Sequence, residues 1–121
     1  MSLPLAGKRI LVVEDHFLLA DALVDCLEIA GAEVVGPCPS VETAFHTLKT
    51  AGHVDMAVLD VQLDTETSEP IADLAREMGL PVLLMTGFDQ STLPRSLRGL
   101  PACTKPFDPR GLVQKLQSLE A

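Results

Sequence analysis

The chain has 121 residues, enough for one hydrophobic core and not for a second beside it. With 47% hydrophobic and 21% charged residues it can fill a packed interior, which excludes disorder as its resting state. Nine Lys and Arg against 17 Asp and Glu leave a net charge of -8, a field that repels nucleic-acid phosphates and anionic lipid headgroups.

Direct nucleic-acid or membrane binding is therefore disfavoured. No apolar run approaches the roughly 20 residues of a bilayer span, and the opening MSLPLAGKRI is too short and polar for a secretory signal. A cytoplasmic location is the expectation. Cys26, Cys38 and Cys103 are odd in number and lack a CxxC or metal-ligand spacing, so they read as small packing residues.

In chain order, Ile10 to Val13 is a short continuous apolar run, the pattern of a strand covered on both faces. A helical pattern follows, with Phe17, Ala20, Val24 and Leu27 placed inward, Asp21, Asp25 and Glu28 on a solvated face, and Gly31 as the stop. Glu33 to Gly36 is a short candidate edge strand. Ser40 suits an N-cap for a second helix that turns Val41, Phe45 and Leu48 inward and ends before Gly52. Met56 to Leu59 is the next buried run. Pro70 suits the first turn of a third helix, which stops at Gly79 and Pro81. Val82 to Met85 is a further strand. Pro94 interrupts the stretch from Asp89 to Gly99, so any helix there is short or irregular. Leu100 to Cys103 is a weaker run, and a last helix starts at Asp108 and Pro109 with Leu112, Val113, Leu116 and Leu119 on one stripe. Alternating strands and helices imply right-handed crossovers and a parallel sheet with helices on both faces.

In open α/β sheets, ligands lie beyond the carboxyl ends of the strands. Those ends carry Glu14 and Asp15, Asp60, Thr86 and Lys105. Singly, each has an ordinary reading: an acidic pair suits a helix dipole, and an Asp, Thr or Lys-Pro after a strand means little. Together they form a site. Crowded carboxylates repel unless protonated or neutralised, and a hard cation with oxygen ligands is the natural solution, Mg2+ above all where a phosphate oxygen is to be a further ligand. Asp60 is central, with an oxygen able to attack phosphorus, while the cation, the Lys105 ammonium and the Thr86 hydroxyl each take one phosphoryl oxygen.

Four words carry a resemblance over nearly the whole chain: Ile-Leu-Val-Val-Glu-Asp at 10–15, Ala-Val-Leu-Asp-Val-Gln-Leu at 57–63, Met-Thr-Gly at 85–87 and Thr-Lys-Pro-Phe at 104–107. The chain resembles a response-regulator receiver domain of bacterial two-component signalling, spanning residues 1–121. The resemblance implies a flavodoxin-like doubly wound sheet of five parallel strands in the order 2-1-3-4-5. It makes Asp60 the phosphoacceptor, Glu14, Asp15, Asp60 and the Gln62 carbonyl the Mg2+ set, and Thr86 and Lys105 the phosphoryl contacts. It also makes the Lys105-Pro106 bond cis. It implies a histidine kinase or histidine phosphotransfer protein as donor, a downstream protein partner or a second copy as listener, and no enzymatic activity beyond self-phosphorylation and self-dephosphorylation. Residues Pro70 to Ala75, Gly79 to Pro81 and Met85 to Phe88 resemble the receivers called the FAT GUY group, although Val82, Leu84 and Met85 depart from that group's Phe-x-Phe-Ala word.

One departure concerns signal output. The position three before the lysine, ordinarily Tyr or Phe, is Ala102, so the aromatic switch has no ring, and Gly87 and Phe88 become the candidate output residues. Two other classes compete. A haloacid-dehalogenase-type aspartyl-phosphate phosphatase shares the strand-end Asp and Mg2+, but its second Asp is here Gln62 and there is no room for a cap domain. A flavin-binding module would leave the carboxylates and Lys105 unexplained. His46 and His53 have no partner at zinc spacing, and the acidic residues from Asp64 to Glu77 read as a solvated loop and helix.

Overall fold

The computed structural model describes residues 2–87 and 93–119. Strands β1 (Arg9–Val13), β2 (Glu33–Cys38), β3 (Met56–Asp60), β6 (Val82–Thr86) and β7 (Ala102–Thr104) form one parallel sheet in the order β2-β1-β3-β6-β7. Between β3 and the next sheet strand, β4 (Gln62–Leu63) and β5 (Glu66–Thr67) make a separate antiparallel hairpin. Counting the sheet strands alone, the order is the 2-1-3-4-5 expected. The helices are α1 (Phe17–Ile29), α2 (Val41–Thr50), α3 (Glu69–Glu77) and α4 (Pro109–Leu119).

The sheet is buried on both faces because its strands alternate between two cores. Leu11, Val13, Ala57, Leu59, Val82 and Leu84 pack with Ala44 and Leu48 of α2 and with Ile71, Ala72 and Ala75 of α3. Their neighbours Ile10, Val12, Met56, Val58, Leu83 and Met85 pack with Leu23 and Leu27 of α1 and with Leu112 and Leu116 of α4. Helices therefore cover both faces, two on each.

Local signals set the helix ends. Ser40 Oγ accepts from Thr43 N–H at 3.1 Å while Thr43 Oγ1 accepts from Ser40 N–H at 3.2 Å, a reciprocal cap that satisfies two orphan donors. Gly111 N–H donates to Asp108 Oδ2 at 3.1 Å, which makes Asp108 the cap of α4. Pro70 lies in the first turn of α3, and Gly79, with φ of 76°, follows its end in a backbone region costly for other residues.

Three readings of the sequence need correction. Phe17 does not face the core: it is 74% exposed, the first residue of the helix, and the buried stripe is Ala20, Leu23 and Leu27. The edge strand β2 runs on to Cys38, through a cis Gly36-Pro37 bond. The last sheet strand lies later than the apolar run, at Ala102–Thr104. Among the described residues between β6 and β7, the helical element is a single 3-10 turn, Arg95–Leu97, headed by Pro94. It is anchored, with Leu93 and Leu97 in the core beside α3. Lys105-Pro106 is cis as expected. All three cysteines are free, Cys38 and Cys103 buried and Cys26 half-buried.

Candidate phosphoacceptor site

The parallel sheet delivers its strand ends to one edge. Glu14 and Asp15 follow β1, Asp60 closes β3, Thr86 closes β6 and Lys105 follows β7. Register holds the middle of this edge: Asp60 pairs with Met85, Thr86 with Thr104, and Lys105 N–H donates to Thr86 O at 2.8 Å. Glu14 N–H donates to Cys38 O at 3.0 Å, which ties the acidic pair to β2.

Carboxylate oxygens of Glu14, Asp15 and Asp60 lie within 4.8 Å of one another. Glu14 and Asp60 are 2% and 4% exposed, whereas Asp15 is open to solvent. Lys105 Nζ lies 2.6 Å from Asp60 Oδ1 and 3.6 Å from Glu14 Oε2. Glu14 Oε1 accepts from His16 N–H at 3.0 Å, but Glu14 Oε2 is buried and makes no hydrogen bond. Burial pushes the Glu14 carboxyl up to about 7, with the charge of Asp60 adding to the rise and the His16 N–H and Lys105 opposing it.

These donors fit a hard divalent cation. An all-oxygen set with one member open to solvent leaves room for retained waters, and an orphaned buried oxygen on Glu14 is the atom a cation would satisfy.

Gln62 is exposed, and its side chain is turned to the hairpin, donating to Asp64 O at 3.0 Å and Glu66 O at 3.2 Å. Thr86 is buried at the edge, Gly87 is exposed just beyond it, and Ala102 is half-buried against the α2 and α3 core. Phe88 lies outside the described residues. A groove of about 680 Å³ between α1 and α4, walled by Leu3, Cys26, Ile29 and Val113, shares no residue with the carboxylate cluster.

Two contributors were invisible in the sequence. His16 caps α1 by accepting from Leu19 N–H at 3.4 Å while its own N–H holds Glu14. Histidine is not a usual cap residue, and only its position before the periodic segment marks it. Glu66, read as solvated, accepts from Val41 N–H at 3.1 Å and so binds the hairpin to the start of α2.

The fold and the strand-end cluster define a phosphoacceptor module of the two-component type. The model of the response regulator receiver domain matches residues 10–117, and the chain belongs to that family. It is 32% identical to SdrG from Sphingomonas melonis Fr1, whose solution structure aligns with a TM-score of 0.81 over 94% of this chain and 97% of that one. A structure described as a putative response regulator from Chloroflexus aurantiacus J-10-fl is 25% identical, with a TM-score of 0.80 over 93% of this chain and 97% of that one. Among curated proteins, an uncharacterized transcriptional regulatory protein, YbdJ of Bacillus subtilis (strain 168), is 28% identical over 93% of this chain. The chain spans about half of that relative's length, 51%. Among the described residues no helix is long and apolar enough to cross a membrane.

Proposed function

We propose that Asp60 accepts a phosphoryl group from a histidine kinase or histidine phosphotransfer protein, with Mg2+ held by Glu14, Asp15, Asp60 and the Gln62 carbonyl. The observation that carries this reading is one ammonium, Lys105 Nζ, 2.6 Å from the strand-end carboxylate of Asp60, beside two further carboxylates within 4.8 Å.

An Asp60 oxygen attacks phosphorus, and the new P–O bond forms as the P–N bond to the donor histidine breaks. The imidazole leaves with the electron pair and is neutralised by a proton. Lys105 takes one phosphoryl oxygen and the Thr86 hydroxyl donates to another, which stabilises charge that grows in the transition state. Mg2+, when bound, supplies positive charge to the remaining oxygen. The product is an acyl phosphate on Asp60, and the only catalysis the chain performs is its own phosphorylation and dephosphorylation. SdrG, 32% identical to this chain, is described in a BeF3-activated conformation, which supports activation of this chain by a phosphoryl-like group.

Gln62 stands where a phosphatase of the haloacid-dehalogenase type needs an acid, and an amide, though it donates hydrogen bonds, is too weak an acid to transfer a proton. The phosphatase reading is not supported. Signal output we assign to the residues Gly87, Phe88 and Ala102, read by a downstream protein or a second copy, and the location to the cytoplasm.

The test is intact-mass analysis after incubation with a small phosphodonor and Mg2+. One phosphoryl group should appear on the native protein and none on Asp60→Ala. Labelling that persists in Asp60→Ala would sink the assignment. The chain has no Trp or Tyr, so mass or NMR replaces intrinsic fluorescence.

A further inference from the structure

The hairpin after β3 is fastened at both ends in a way the chemistry above does not use. Ser68 N–H donates to Val61 O at 2.9 Å, so residues 61 and 68 form a hydrogen-bonded pair, and the next pair, Gln62 with Thr67, is then a non-hydrogen-bonded one. The Gln62 carbonyl is consequently left outside the hairpin's own ladder, pointing away from β5, two residues beyond Asp60. Its direction depends on how the short hairpin is held.

Three contacts hold it. The Gln62 amide donates to Asp64 O at 3.0 Å and Glu66 O at 3.2 Å, bridging the turn from its first strand to its second. Asp64 sits in the left-handed region with φ of 52°, a conformation that a non-glycine residue keeps only when its surroundings hold it there. Glu66 in turn fixes the second strand to α2 through Val41 N–H, where a carboxylate also meets the positive end of the helix.

We propose that the Gln62 side chain is a positioning residue for the divalent cation: by clamping the turn it aims its own main-chain carbonyl at the carboxylate cluster, with Glu66 anchoring the clamp to α2. The proposal rests on the reading of Glu14, Asp15 and Asp60 as a Mg2+ site. The Gln62 amide touches no reacting atom; it acts through its own backbone.

Amide-shift titration with Mg2+ tests it on the whole chain. Gln62→Met, similar in length but with no donor, should weaken Mg2+ by about tenfold, the lower end of what loss of an orienting partner does. Saturating Mg2+ should restore phosphorylation of Asp60 by a small phosphodonor to the native rate, and hydrogen exchange at the Val41 amide should rise. Gln62→Glu, whose carboxylate repels both carbonyls, should bind Mg2+ no better than Gln62→Met, and Gln62→Asn, which keeps a donor on a shorter arm, should fall between native and Met. Native Mg2+ affinity in Gln62→Met overturns the proposal, and so does a phosphorylation defect that saturating Mg2+ leaves in place. Asp60→Asn separates the two levels: if it leaves Mg2+ affinity unchanged, the underlying site reading fails rather than the clamp.

Discussion

Lys105 Nζ lies 2.6 Å from Asp60 Oδ1 and 3.6 Å from Glu14 Oε2, so one ammonium serves two buried carboxylates that arrive on different strands. Without a divalent cation, it is the positive charge that makes their proximity tolerable.

Replacing Lys105 by Met should therefore lower cation-free stability by about 1–3 kcal/mol, the cost of leaving buried acceptors without their partner. Mg2+ should recover most of that loss by binding only the folded state. Phosphorylation should stay slow at saturating Mg2+, on the order of 10²-fold down, because a contact to the transferring group is missing. Melting curves with EDTA or Mg2+, beside phosphorylation time courses, measure both parts; an unchanged cation-free melting temperature would show that the pairing carries no weight.

The pH dependence has a definite sign. Glu14 holds its proton up to about 7 when folded, while the unfolded chain releases it near 4.5, so between those values the folded state binds more protons. Cation-free stability should be greatest at the acid end of this interval, fall as pH rises towards 7 and then level, by no more than about 3 kcal/mol in all. Stabilisation by Mg2+ should grow over the same interval, since the ligand must be deprotonated. Denaturant unfolding at pH 5 and pH 7.5 checks this, with Glu14→Gln expected to flatten the slope. A slope that survives in Glu14→Gln belongs to another group.

Phe17 and Leu18, 74% and 71% exposed, are apolar residues on the first turn of α1, one residue beyond the acidic pair. Changing both to Ser should alter stability by less than about 0.5 kcal/mol, as surface substitutions usually do. Transfer from a histidine-bearing protein should fall, while phosphorylation by a small phosphodonor should not. Equal loss with both donors would place the defect in the site instead of in docking.

Leu97 is fully buried against α3, and Ser96 hydrogen-bonds Glu69. Leu97→Ala should cost about 2–4 kcal/mol, the range of a buried Leu truncation. Phosphorylation of the surviving folded protein should remain close to native because Leu97 is no member of the cluster of Glu14, Asp15, Asp60 and Lys105. Thermal melts and intact mass on one sample separate the two effects.

How far the sequence alone reached follows from the physics of each part. Continuous apolar runs between helical patterns announce a parallel sheet, and the strand-end rule then converges Glu14, Asp15, Asp60, Thr86 and Lys105 with no structure at hand. The cap at Ser40 and the helix start at Asp108 were equally plain. Phe17 misled because apolar spacing at the first position of a helix does not say which of several apolar residues the core takes, and Leu23 with Ala20 and Leu27 took it. The hairpin at Gln62–Thr67 was hidden for a different reason: two-residue strands have no periodicity to read, and its main-chain pairing is supplemented by bonds from the Gln62 side chain to main-chain carbonyls. The hydrogen bond from the Val41 amide to Glu66 spans 25 positions and leaves no mark on either neighbourhood.

The turn at Arg95–Leu97 has a consequence for how a partner can listen. One 3-10 turn rises about 6 Å and has too little length to act as a lever. On the proposed reading, movement of Thr86 would find no long rod in this turn to swing, and with Leu97 sunk in the core the turn has little freedom to slide. A listener seated on this flank would sense which side chains are presented rather than the tilt of an axis. Discrimination between the two states would then rest on short-range chemistry, a few exchanged contacts among Arg95, Arg98 and their neighbours.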